Sequence, residues 1–163
     1  MDTNPKLMNT SPVSASTPSI PKTAILAGVL LILPSWLLTL SVLFETVLTP
    51  VMALFSLNIY SAILIGFFAA TGWAIAILSP SAKHRGLIVF VNVVFVLFAA
   101  FAAIPILQAD LNLIILMTVL ALQWFFDVLM SLGQARISGL LQLRTVMTLS
   151  TLLSLALAWW ILV

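Results

Sequence analysis

From residue 23 onward, long apolar runs alternate with short polar breaks. The runs are far longer than strands, and several exceed the roughly 18 residues that mark a membrane-crossing helix. They predict five helices, over about 23–44, 58–79, 86–107, 111–132 and 140–163. Each reaches about 30 Å at 1.5 Å per residue, enough to cross the hydrocarbon of a bilayer. Pro34 falls inside the first run, so a bend is expected there. Thr49 followed by Pro50 has the form of an N-cap with proline at the first helical position.

The run from 50 to 79 is too long for one upright crossing. Either it tilts strongly, or 50–57 is a separate piece lying near the interface, with polar Asn58 and Tyr60 marking the join. The second arrangement is the expectation here, with Pro80 as the stop. Pro105 falls near the end of the third helix. Asp110 is placed to cap the fourth at its N-terminus and Gly133 at its C-terminus. Residues 1–21, rich in Ser, Thr, Pro and Asn, carry no apolar periodicity and read as a disordered tail.

Composition removes the soluble alternative. Hydrophobic residues make up 63% of the chain and charged residues only 6%, against about 25% charged in ordinary soluble domains. The expected fold class is all-α, a polytopic integral membrane bundle of about five transmembrane helices. The net charge of +2 does not imply nucleic acid, because the six basic residues form no stripe that tracks phosphates. Their positions sort by side instead. Lys6 and Lys22 precede helix 1, Lys83 and Arg85 lie between helices 2 and 3, and Arg136 and Arg144 flank the turn between helices 4 and 5. With five crossings all of these fall on one face, and Glu45 and Asp110 fall on the other. The positive-inside rule then expects a cytoplasmic N-terminus and an outer C-terminus. A bacterial plasma (inner) membrane is the expected location, since the tail lacks an Arg-rich amphipathic transit pattern. Trp73 is expected near the inner interface and Trp159 and Trp160 near the outer one, with Trp36 and Trp124 facing other helices.

Asp127 is the most informative polar position. An ionisable group inside an apolar helix needs a partner or a function. In an antiparallel hairpin, residues equidistant from the turn sit at equal depth, and Arg144 mirrors Asp127 across the 133–139 turn. A pair, or a shared hydrated pocket, is expected one to two helical turns inside the inner boundary. Gln123, Asp127, Ser131 and Gln134 recur on one face of helix 4. Arg144, Thr148 and Thr151 do so on helix 5, with Thr145 adjacent. Three readings stay open at this level: polar groups that join two helices, a binding site formed by Asp127, Arg144, Gln123 and Thr148 for a small or lipophilic molecule or a proton, or a pair at the inner headgroups without a special role, with Arg144 snorkelling to them.

His84 is the one histidine and sits between Lys83 and Arg85, so it reads as a solvated loop residue and no metal site is expected. Asn92 is expected to hydrogen-bond between helices. Gly66, Ala69, Ala70 and Gly72 would allow helix 2 to approach a neighbour closely. Without cysteine, thiol catalysis, disulfides and cluster ligation are excluded. No nucleotide loop, zinc motif or nucleophile elbow appears. The expectation is therefore a non-enzymatic component without a cofactor, whose partners are the bilayer and a membrane protein or a second copy of itself.

Three stretches, AGVLLILPSW in helix 1, YSAILIGFFAATGW at 60–73, and LQWFFDVLMSL with LLQLRTVMTL in the last hairpin, carry a family resemblance. Over most of 23–160 the chain resembles the bacterial family catalogued as domain of unknown function 3429, whose mitochondrial relatives are called transmembrane protein 69. The likeness lies in the Tyr, Phe and Trp of helix 2, the late aspartate of helix 4, and the arginine–threonine step opening helix 5. The chain departs from the family at Ala69 and Ala70, where glycines are usual, and at Gly72, where a basic residue is usual. The resemblance implies a compact helical membrane domain and brings no activity with it.

Overall fold

The computed structural model describes residues 21–44, 48–78, 85–104, 108–131 and 138–162. They form five helices: α1 (Lys22–Phe44), α2 (Pro50–Leu78), α3 (Arg85–Ala103), α4 (Ala109–Ser131) and α5 (Ser138–Leu162). Each is long and apolar enough to cross a membrane. Connectors of five or six residues separate the helices. Such a connector reaches at most about 20 Å, less than the length of any of the helices, so successive helices must run antiparallel. The starts of α1, α3 and α5 therefore share one end of the bundle with the ends of α2 and α4. Lys22, Arg85 and Arg144 all belong to that end, which we call the basic end. The tail 1–20, Glu45, Lys83, His84, Pro105, Arg136 and the turn holding Gly133 and Gln134 lie outside the described residues.

The helices close a ring in chain order, with α1 packed on α2 and on α5. A further contact between α2 and α4 crosses the middle. Polar and apolar positions are distributed as lipid demands. Leu26, Leu30, Leu37, Ile63, Leu97 and Leu153 are exposed, whereas Ser35, Thr39, Asn92, Gln123 and Ser154 are buried. In water this arrangement would waste apolar area. In hydrocarbon it is the stable one, because polar side chains find partners only inside the bundle. The chain is a multi-pass membrane protein.

The structure corrects several helix boundaries. Residues 50–57 are not a separate interfacial piece but the first two turns of α2, which runs unbroken for 29 residues. At about 43 Å it exceeds the hydrocarbon thickness, so it tilts or projects beyond it. Of the two polar residues at the supposed join, Asn58 faces inward and Tyr60 is half-buried. Asn58 is buried, and the Ser61 hydroxyl donates to the Leu57 carbonyl at 2.7 Å. The cap is as expected: the Met52 amide donates to Thr49 Oγ1 at 3.4 Å. Helix α3 stops at Ala103 rather than at 107, since Ile104 precedes a proline and is driven out of helical geometry. Its amide closes the last turn on the Phe101 carbonyl at 3.2 Å. Helix α4 begins at Ala109, and the Gln108 carbonyl accepts its first bond from Asn112 at 3.0 Å. Asp110 is thus inside the first turn, not the cap, where its charge still favours the positive end of the helix dipole.

Pro34 lies within α1, which continues through it. The proline ring supplies no N–H and crowds the preceding turn, loosening its carbonyls. The carbonyl that loses its donor is that of Leu30, four residues back, and next to it the Tyr60 hydroxyl donates to the Leu31 carbonyl at 2.6 Å. Tyr60→Phe is expected to cost about 1 kcal/mol, read as a lower denaturant midpoint in detergent. An unchanged midpoint would mean that this carbonyl needs no outside donor.

Among the small residues of α2, Ala69 and Gly72 are buried, Gly66 is half-buried and Ala70 is exposed. A Cβ at Gly72 would come 3.3 Å from Asn92 Nδ2, whereas at Gly66 it would meet nothing within 4 Å. Replacing an open helical glycine by alanine gains up to about 1 kcal/mol in helix propensity. Gly66→Ala should therefore be the more stable variant and Gly72→Ala the less stable, measured side by side by unfolding in mixed micelles. Equal midpoints would contradict the close approach of α2 and α3 at Gly72.

Candidate functional site

Asp127 and Arg144 meet. Arg144 Nη2 lies 2.7 Å from Asp127 Oδ2, with side-chain exposures of 9% and 12% for the arginine and the aspartate. Asp127 is four residues before the end of α4 and Arg144 six after the start of α5. That places them about 6 and 9 Å inside the basic end. The hairpin symmetry expected from sequence is therefore realised as a closed contact.

A third helix completes it. Arg144 Nη2 also donates to the Phe68 carbonyl at 2.9 Å, and the guanidinium carbon stands 5.2 Å from the centre of the Phe68 ring. Phe68 thus offers both a carbonyl dipole and the negative face of its ring to one cation. The same carbonyl accepts the Thr71 hydroxyl at 2.8 Å. No donor among the described residues is aligned for a hydrogen bond on Asp127 Oδ2, and its contact with Arg144 Nη2 is ionic.

Gln123 lies one turn deeper on the same face of α4 and is 1% exposed. Its Nε2 is 3.3 Å from the Ile65 carbonyl of α2 and 3.5 Å from Asn92 Oδ1 of α3. Asn92 Nδ2 donates back to Ile88 in its own helix at 2.8 Å. The interhelical role expected for Asn92 is present, through its oxygen. Trp124 Nε1 donates to Thr145 Oγ1 at 3.0 Å, so this tryptophan does face α5. Thr148 is buried near the pair, but Thr151 does not reach across the hairpin, since its hydroxyl donates to Met147 of its own helix at 2.9 Å. The Ser131 side chain and Gln134 lie outside the described residues. Among the described residues no group of three His, Asp or Glu side chains is placed to hold a metal.

Comparison with protein families, with curated proteins and with solved structures finds no match.

One polar cluster was not anticipated. The Ser154 hydroxyl of α5 lies 2.9 Å from Ser35 Oγ and 2.8 Å from Thr39 Oγ1 of α1, and it also contacts the Ser35 carbonyl at 3.1 Å. Above it, Trp36 Nε1 donates to Ser150 Oγ at 2.9 Å. These bonds fasten the first helix to the last. The available signal was a pair of hydroxyl residues four apart on each helix, 35 with 39 and 150 with 154. Nothing in one dimension says that those two faces meet.

Proposed function

We propose that this chain is a non-enzymatic subunit of a membrane assembly, an accessory or scaffold component of a bacterial plasma membrane, with its basic end in the cytoplasm. The observation that carries this reading is the closed Asp127–Arg144 contact. A carrier or enzyme keeps its charged groups open to a substrate. Here the α5 cation is shared between a carboxylate of α4 and the carbonyl and aromatic face of Phe68 on α2, so that three helices meet at it. Such an arrangement fixes which helices neighbour one another, a role best attested for buried polar groups. The placement of Lys22 and Arg85 at the same end supports the orientation through the positive-inside rule. The resemblance to the uncharacterised membrane family fits a compact domain of this kind.

The test is co-purification after extraction in mild detergent, followed by sizing. A subunit migrates with a larger complex or as an oligomer; a chain that runs only as a monomer contradicts the proposal. Asp127→Asn then separates it from a carrier of lipophilic molecules built on the same pair. A scaffold variant loses stability and complex recovery. A carrier variant stays folded and loses ligand binding or proton coupling.

A further inference from the structure

The amides next to the ion pair have only one workable orientation. Asn92 Nδ2 is committed to the Ile88 carbonyl, so Asn92 Oδ1 is the atom presented to Gln123. Gln123 Nε2 therefore faces two oxygens, Ile65 O and Asn92 Oδ1. Turning this amide over would set Oε1 against both acceptors. Oε1 must point away from them, and it is buried with no donor among the described residues. One helical turn further along α4, Asp127 Oδ2 is also buried without an aligned hydrogen bond, its contact with Arg144 Nη2 at 2.7 Å being ionic. The site thus holds one acceptor without a partner, which costs about 1–3 kcal/mol if left unmet, beside an ion-paired carboxylate oxygen that can accept a further bond.

We propose that Gln123 and Asp127 hold a resident water molecule between them. Residues four apart on a helix are neighbours on one face, and a water placed between two acceptors gives each of them a hydrogen bond of about 2.8 Å. One hydrogen goes to Gln123 Oε1 and the other to Asp127 Oδ2. The water oxygen then faces the Arg144 guanidinium, which carries N–H donors beyond the one given to Phe68. The water enters from the basic end, about 6 Å from Asp127. It couples the ion pair to the amide chain Gln123–Asn92, so that α2, α3, α4 and α5 share one polar network.

The test uses the full chain, isotopically labelled, in phosphatidylcholine–phosphatidylglycerol bilayers. Solid-state NMR follows magnetisation passing from water to the Gln123 side-chain carbonyl carbon and the Asp127 carboxyl carbon. Leu116 and Leu120, fully buried on the same helix, serve as dry references. Transfer to Gln123 and Asp127 is expected to be faster than to either leucine. Gln123→Met keeps the length and removes the acceptor, and the faster transfer to Asp127 should then be lost. Transfer to Gln123 no faster than to the leucines in the wild-type chain overturns the proposal without needing the variant. So does a carbon signal showing Asp127 protonated and hydrogen-bonded directly to Gln123, since the missing donor would then be the acid itself.

Discussion

Asp127→Ala is expected to destabilise the bundle by about 3–5 kcal/mol, the usual cost of leaving one partner of a buried ion pair alone. Arg144 is held 9% exposed against Phe68, and it cannot reach the boundary without giving up that carbonyl. The retained Phe68 contacts place the loss toward the lower end of the range. The double variant Asp127→Leu with Arg144→Met removes both charges at once. It should recover most of the loss, because apolar pairs of similar volume replace buried ion pairs at little cost. Reversible unfolding in mixed micelles measures both. A single variant within about 0.5 kcal/mol of wild type, the range of an ordinary surface change, would mean that the pair holds nothing together.

Ser154→Leu is the second large effect, at about 2–4 kcal/mol. Ser154 is 0% exposed where α1 and α5 approach, and its hydroxyl serves Ser35 and Thr39 together. Leucine has no hydroxyl to offer them and adds volume where none is free. The loss should concentrate on α1, which meets only α2 and α5 as substantial neighbours. Faster protease cleavage within the N-terminal region than elsewhere, together with a lowered midpoint, is the expected readout. Ser154→Ala tests the hydroxyl alone and should cost about 1 kcal/mol. If leucine is tolerated as well as alanine, the two helices do not pack as closely as described.

Most of the architecture was legible because lipid imposes it. A segment that leaves water must satisfy its backbone internally, so a long apolar run can only be a helix. The Asp127–Arg144 pair was legible for a similar reason: the depth of each residue follows from counting outward from a short turn. The unbroken course of α2 was hidden, because Asn58 and Tyr60 look like a break when side is unknown. Asn58 proves to be a buried position of an unbroken helix, and Tyr60 a half-buried one bonded to α1. Phe68 was hidden for another reason. One phenylalanine in an apolar run looks like any other, and a backbone carbonyl leaves no mark in the sequence. The α1–α5 hydroxyl cluster depends on which helix closes the ring, and an isolated serine or threonine equally well bonds its own helix, as Ser41, Ser61 and Thr118 do.

Five antiparallel crossings with one basic end underlie every other claim, and sidedness labelling tests them most directly. The chain has no cysteine, so single cysteines placed at Ala82 and at Val163 report on their own surroundings without background. In sealed vesicles a membrane-impermeant thiol reagent should label one position from outside and the other only after the vesicles are opened. Labelling of both from the same side would require an even number of crossings between the basic end and the C-terminus, and the bundle described here would be wrong.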